Sequence, residues 1–245
     1  MRSIYFKELK SFLGSIGGYI VLLVFVVFCG LLMWVFPDTN ILDYGYASME
    51  QFFNIAPWFL LFLIPAITMR SFADEFKGGT IEWLSTKPLS FTQIIMGKFL
   101  AALSLVAIAI LPTLIYIFSI HYLAMDDAAL DIGGLVGSYI GLSLLAAAFT
   151  AIGTFSSSLT DNQIVGFLIA LGLCFTLYSG FEALSRVPSF RGGADYYLAL
   201  LGVDYHYNSI SRGVIDSRDV VYFLSLVILF IAITRFVLQR KRLKV

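Results

Sequence analysis

Long stretches without a single charged residue divide this sequence, and they limit it to one broad class of fold. They occupy approximately residues 16–36, 55–69, 99–120, 135–155, 164–181 and 220–234. A helix rises 1.5 Å per residue, so about 20 apolar residues carry a chain across a ~30 Å hydrocarbon core. Within that core every backbone N–H and C=O must find its partner inside the protein, which a helix provides by itself. The second and last stretches are short. Each reaches full length by taking in flanking residues while Arg70 or Arg235 snorkels to the interface. The expected fold is therefore all-α and integral to a membrane, a single domain over residues 1–245 with six transmembrane helices. Composition agrees, since only 13% of the residues are charged, against roughly 25% in a soluble domain.

Lys and Arg placement sets the orientation. The segment before the first span holds Arg2, Lys7 and Lys10, the loop between spans two and three holds Arg70, Lys77, Lys87 and Lys98, and the tail holds Arg235, Arg240, Lys241, Arg242 and Lys244. The opposite loops 37–54 and 121–134 contain no Lys or Arg, and the remaining outer loop contains Arg186, Arg191, Arg212 and Arg218. Both termini are expected on the cytoplasmic side. The basic start is followed by an apolar run too long for the core of a cleavable signal, so it is expected to be retained.

Residues 1–15 carry a second pattern. Ile4, Phe6, Leu9, Phe12 and Leu13 recur at helical spacing, with Arg2, Lys7, Lys10 and Ser11 between them. This describes a basic amphipathic helix ending at Gly14 and lying in the interface beside anionic headgroups; the alternative is a plain positive flank that fixes topology. In the outer segment 182–219, the apolar aromatic run 196–202 is too short to span. It suits a half-helix dipping into the outer leaflet, with turns at Gly192, Gly193 and Gly202.

Several chemistries are excluded. The charge-free stretches offer no midplane site for a coupling ion or proton. His121 and His206 fall at a span end and in the outer segment, where a hydrogen-bonded surface histidine is expected. Cys29 and Cys174 lie within apolar runs and read as small hydrophobes. Zero net charge leaves no basic footprint for nucleic acid. Gly97-Lys98 lacks the upstream glycine of a phosphate-cradling loop, so the chain is not expected to bind ATP that way, nor to catalyse a reaction. Hydroxyls within the spans (Ser143, Thr150, Thr154 and Ser156 to Ser158) are expected to bond helical carbonyls or a neighbouring helix.

The inner loop 70–98 is longer than topology requires. Arg70, Asp74, Glu75 and Lys77 continue the second span as a helix that Gly78 and Gly79 end. Thr80 is placed to cap a short helix carrying Ile81, Glu82, Trp83 and Leu84, which Lys87-Pro88 terminates. Ser90 or Thr92 caps the entry to the third span. An apolar face of Ile81, Trp83 and Leu84 within a charged rim suits docking to a protein, or contact with headgroups.

This loop resembles the permeases of the ABC-2 class, whose pattern here is roughly R-x-x-x-x-E-x-x-x-G-T-x-E-x-L-x-x-x-P-x-S, followed by Gly-Lys. Arg70, Glu75, Gly79, Thr80, Glu82, Leu84, Pro88, Ser90 and Gly97-Lys98 match it. The stretch 206–223 and the amino-terminal Lys-Glu-Leu-Lys-Ser-Phe resemble the gliding-motility branch of that class in Bacteroidota. The resemblance implies a type V exporter-like permease half in a bacterial inner membrane, with an amino-terminal interfacial helix (Phe6, Leu9, Lys10, Phe12) and a re-entrant segment before the last span. It implies that Asp74, Glu75, Lys77, Gly78, Gly79, Thr80, Ile81, Glu82, Trp83, Leu84, Lys87 and Pro88 form the element that engages a separate ATPase subunit. ATP and magnesium belong to that partner, and this chain is expected to hold no cofactor or metal. A second permease half, related or identical, is the other implied partner. Trp83 is bulkier than the class often carries there. Two further readings are a substrate-capture membrane component of another ABC system and a cargo-free scaffold that transmits mechanical work.

Overall fold

The computed structural model describes residues 1–37, 39–41, 48–80, 90–123, 131–188 and 192–242. Among the described residues there is no strand, and six helices are long and apolar enough to span a membrane. Helix α1 (Arg2–Leu13) precedes the first span, α2 (Ile16–Trp34). The second span, α3 (Glu50–Thr68), runs on into α4 (Arg70–Lys77). The third is α5 (Phe91–Ile110), a 3-10 turn over Leu111–Thr113, and α6 (Leu114–Leu123). The fourth is α7 (Ile132–Leu159). The fifth is α8 (Gln163–Phe175), continued by a π turn over Thr176–Gly180 into α9 (Phe181–Ser185). Two short helices, α10 (Ala194–Leu201) and α11 (Val203–Ser211), lead to the sixth span, α12 (Ser217–Arg242).

Local sequence explains most of these boundaries. Ser15, Asp131 and Asn162 accept hydrogen bonds from the first turns of α2, α7 and α8. Ser90 caps α5 in a reciprocal capping box with Gln93. Pro112 removes a backbone donor, and the third span tightens to 3-10 geometry there. Pro57 and Pro65 lie inside α3 without ending it.

The helices are longer than the charge-free stretches, and this corrects two expectations. The helix of the third span begins at Phe91, after the expected Ser90 cap and eight residues before the charge-free stretch, so Lys98 belongs to a helix, where it is 2% exposed, and not to the loop 70–98. His206 is buried within α11 rather than at the surface. The short run before Gly202 is helical from Ala194, with α11 directly after it.

The second, third and fourth spans form the centre of the bundle, with 61%, 56% and 61% of their apolar windows buried. The first, fifth and sixth are peripheral, at 22%, 22% and 17%. Close approach depends on small residues, as it does between helices in lipid. A Cβ on Gly153 of α7 would lie 2.1 Å from Thr68 Oγ1 of α3, and one on Gly137 would lie 2.8 Å from the Cα of Gly213 after α11. Span hydroxyls Ser143, Thr150, Thr154, Ser156 and Ser158 bond back to carbonyls of their own helix. Ser157 does not.

Candidate functional site

Helix α4 is where the ends of several helices converge. It is amphipathic over eight residues, burying Ser71, Phe72, Ala73 and Glu75 and exposing Arg70, Asp74 and Lys77. It follows α3 across the single residue Met69, and backbone groups at that junction turn to a neighbouring span. Ser157 of α7 serves them. Its Oγ accepts from Phe72 N–H (2.9 Å) and Ala73 N–H (3.2 Å), and its hydroxyl donates to Met69 O (2.9 Å). A neighbouring span thus caps α4.

A buried charge cluster holds the other side. Lys98 Nζ of α5 donates to Ser71 O (2.5 Å), Glu8 Oε1 of α1 (2.7 Å) and Glu75 Oε1 (3.0 Å). Lys7 of α1 reaches the same Glu75 oxygen at 3.4 Å. The Lys98 side chain is 1% exposed and that of Glu75 8%, so each charge depends on the other for its compensation. Glu75 Oε2 is buried with no hydrogen-bond partner among the described residues. The cluster joins three elements that are far apart in sequence.

Two further contacts complete the grip. Asp74 accepts from the side-chain amide of Gln163, the first residue of α8. Lys241 of α12 lies over the Phe76 ring, 3.9 Å from its centroid, and donates to Ser158 O and Leu159 O at the end of α7. That cation satisfies carbonyls that a helix C-terminus leaves open. Helices α1, α5, α7, α8 and α12 therefore all fasten to α4.

The expected docking residues divide accordingly. Asp74, Lys77 and Thr80 are exposed and Glu75 is buried. Gly78 is the C-cap of α4, and Gly79 follows at φ 65°, a left-handed turn that favours glycine. Thr80 Oγ1 donates back to Glu75 O at 3.4 Å. Ile81, Glu82, Trp83, Leu84, Lys87 and Pro88 lie outside the described residues. In α1, Phe6 and Lys10 are exposed, whereas Leu9 and Phe12 pack against the main core. Ile4 is buried against Gly97, and Tyr5 shares a hydrogen bond with Ser104 of α5 (3.0 Å). Much of the apolar face of α1 thus meets protein. Sequence reasoning missed Glu8, Gln163 and Lys241, whereas Ser157 makes the bond to a neighbouring helix that was one expectation for the span hydroxyls; the only local signal for the charge cluster was a lysine beside a long apolar run.

The opposite end of the bundle has its own fixed point. Pro57 lacks the N–H that an α-helix directs to the carbonyl four residues earlier, Phe53. Tyr207 of α11 supplies the missing donor, with Oη 2.7 Å from Phe53 O. Burial, then the nearby Asp204 charge, pushes the Tyr207 phenol up, so it stays a donor. Ser138 of α7 also donates to Ser211 O of α11 at 2.8 Å. Asp204 is half-buried beside Glu182, and burial followed by that carboxylate holds its acid above the ordinary range.

The sequence matches the family model for ABC-2 family transporter proteins over residues 36–188, more than half of the chain, from the end of the first span to the end of the fifth. No curated protein matches it. Six membrane-spanning helices with this match across their centre place the chain in the ABC-2 transporter family.

Proposed function

We propose that this chain is the transmembrane permease half of an ATP-driven ABC-2 transporter, and that α4 carries work from a separate ATPase into the bundle. The observation that supports this is the clamping of α4 by five other helices immediately before residues 78–90, with which it forms most of the loop 70–98 that resembles an ATPase-engaging element. A push on that segment acts on α4. Because α4 is tied to α1, α5, α7, α8 and α12, it moves them together instead of bending a loose loop.

On this reading both termini are cytoplasmic in a bacterial inner membrane, and ATP and magnesium sit in the partner rather than in this chain. A second permease half completes the path. The resemblance of residues 206–223 to the gliding-motility permease GldF favours a GldA-like ATPase and either a GldG-like permease or a second copy of this chain. The charge-free spans suit an amphiphilic cargo, or a cargo-free machine that delivers conformational work. Co-purification with the candidate ATPase tests the assignment. Replacing Ile81, Glu82 and Trp83 together is expected to abolish the association; unchanged binding and unchanged ATPase activity would overturn it.

A second reading, capture of a small substrate, draws on a polar cavity of about 620 Å³ at the outer ends of α3, α7 and α11, lined by Glu50, Asn54, Asp131, Ser138, Asn208 and Arg212 among others. It predicts a small molecule retained by the purified monomer, detectable by mass spectrometry of a denatured extract.

A further inference from the structure

The outer helix pair contains a second cluster, independent of the α4 site. His206 Nε2 lies 2.9 Å from Leu200 O, the carbonyl at the end of α10, and Nδ1 lies 2.6 Å from Asp219 Oδ1 at the start of α12. A carbonyl only accepts, so Nε2 carries a proton. Oδ1 and Nδ1 then need one proton between them, since otherwise a lone pair would face a carboxylate. The ring and carboxyl therefore hold two protons, whichever atom owns the shared one. The His206 ring also stacks on Tyr222 at 3.8 Å between centroids and 23° between planes. The Tyr222 hydroxyl donates to Leu201 O (2.7 Å), so both fastenings grip the end of α10.

Helices α10 and α11 are held very differently. Helix α11 buries Val203, His206, Tyr207 and Ile210 and is tied to α3 and α7. Helix α10 buries no residue, and Tyr196, Tyr197 and Leu201 are more than half exposed. Gly192 and Gly193 precede it at φ 113° and 153°, conformations that only glycine adopts without strain. A weakly packed helix thus follows a glycine joint and ends on a hydrogen-bonded latch.

We infer that α10 is an outer flap latched by the doubly protonated His206–Asp219 pair, and that loss of one of its two protons releases it. After deprotonation the remaining ring proton stays on Nδ1 against the Asp219 carboxylate, the stronger acceptor, so Nε2 presents a lone pair to Leu200 O and the hold on α10 is lost. Asp219 Oδ2 is buried without a partner among the described residues, which leaves that carboxylate dependent on the Nδ1 proton. The groups facing the ring are Asp219 and Tyr222 of α12, the Leu200 carbonyl of α10 and, edge-on from its own helix, Tyr205. Asp204, two residues earlier, interacts with Glu182 and Tyr178.

Amide hydrogen exchange on the full chain in lipid nanodiscs, corrected for intrinsic rates, tests the latch between about pH 5 and pH 9, a range that brackets histidine titration. The wild type is expected to lose protection over residues 194–201 by about tenfold or more as pH rises, the scale of a lost charge-assisted hydrogen bond. Asp219→Asn places an amide donor opposite a neutral ring, so the latch should hold at every pH and the dependence should vanish. His206→Phe keeps the stack but loses both bonds, so the segment should be unprotected throughout. Protection over residues 203–211 reports whether each variant is folded. A flat wild-type profile, or Asp219→Asn following the wild-type pH dependence, would overturn the inference.

Discussion

Lys98 shows how one residue joins the two ends of a mechanism. It sits where α1, α4 and α5 meet, with three oxygen partners, and the ring of Phe72 lies 5.1 Å from its Nζ. Removing one partner of a buried ion pair leaves the other uncompensated, at a cost of about 3–5 kcal/mol. Lys98→Met is therefore expected to lower stability by that order, measured by denaturation in detergent. The double change Glu75→Gln with Lys98→Met should recover a large part of the loss, because no buried charge then stands unpaired. If the two changes add independently, the pair is not the compensated unit described here. None of these partners was legible in the sequence, where Lys98 appears as one of several inner-loop cations. Glu8 lies 90 positions away and Glu75 belongs to another span, and hydrophobic periodicity carries no information about such pairings. His206 was misjudged for the same reason, since its carboxylate arrives on a different helix.

At the scale of elements, the spans themselves were legible because the bilayer enforces them: charge is too costly at the midplane for a spanning segment to hide. Their ends were legible only where a cap gave them away, as Ser90 does for the third span. The extension of α3 toward Glu50 past Pro57 depends on hydrogen bonds that apolar counting does not see. Contacts between helices depend on glycines whose role appears only once the neighbour is known. Gly153 is the sharpest instance, because a Cβ there would also fall 2.9 Å from Thr68 Cβ, which cannot swing away. Gly153→Ala should force α3 and α7 apart and cost about 1–3 kcal/mol, the usual range for overpacking. Gly172→Ala makes the control, since nothing lies within 4 Å of its Cβ position. Thermal unfolding of the two variants side by side decides the matter: equal midpoints would mean that the α3–α7 contact is looser than these distances.

For the whole molecule, the question is whether α4 moves as one body with the bundle. Besides packing, α4 is tied to the central span α7 by the hydroxyl of Ser157, which meets two N–H groups and one carbonyl. Ser157→Ala removes that acceptor, at about 1–3 kcal/mol, and loosens the joint while leaving residues 78–90 unaltered. If energy enters through that segment, an ATPase should bind this variant as it binds the wild type, because the docking residues are intact. The response should differ. Stimulation of ATP hydrolysis by the permease should fall several-fold, and amides of Phe72 and Ala73 should exchange faster, since the push is absorbed at a slack joint. Binding and stimulation lost together would make Ser157 a folding residue alone. Faster exchange at α4 with full stimulation would show that work reaches the spans by another route, through α1 and the Lys98 cluster, and the lever would have to be redrawn there.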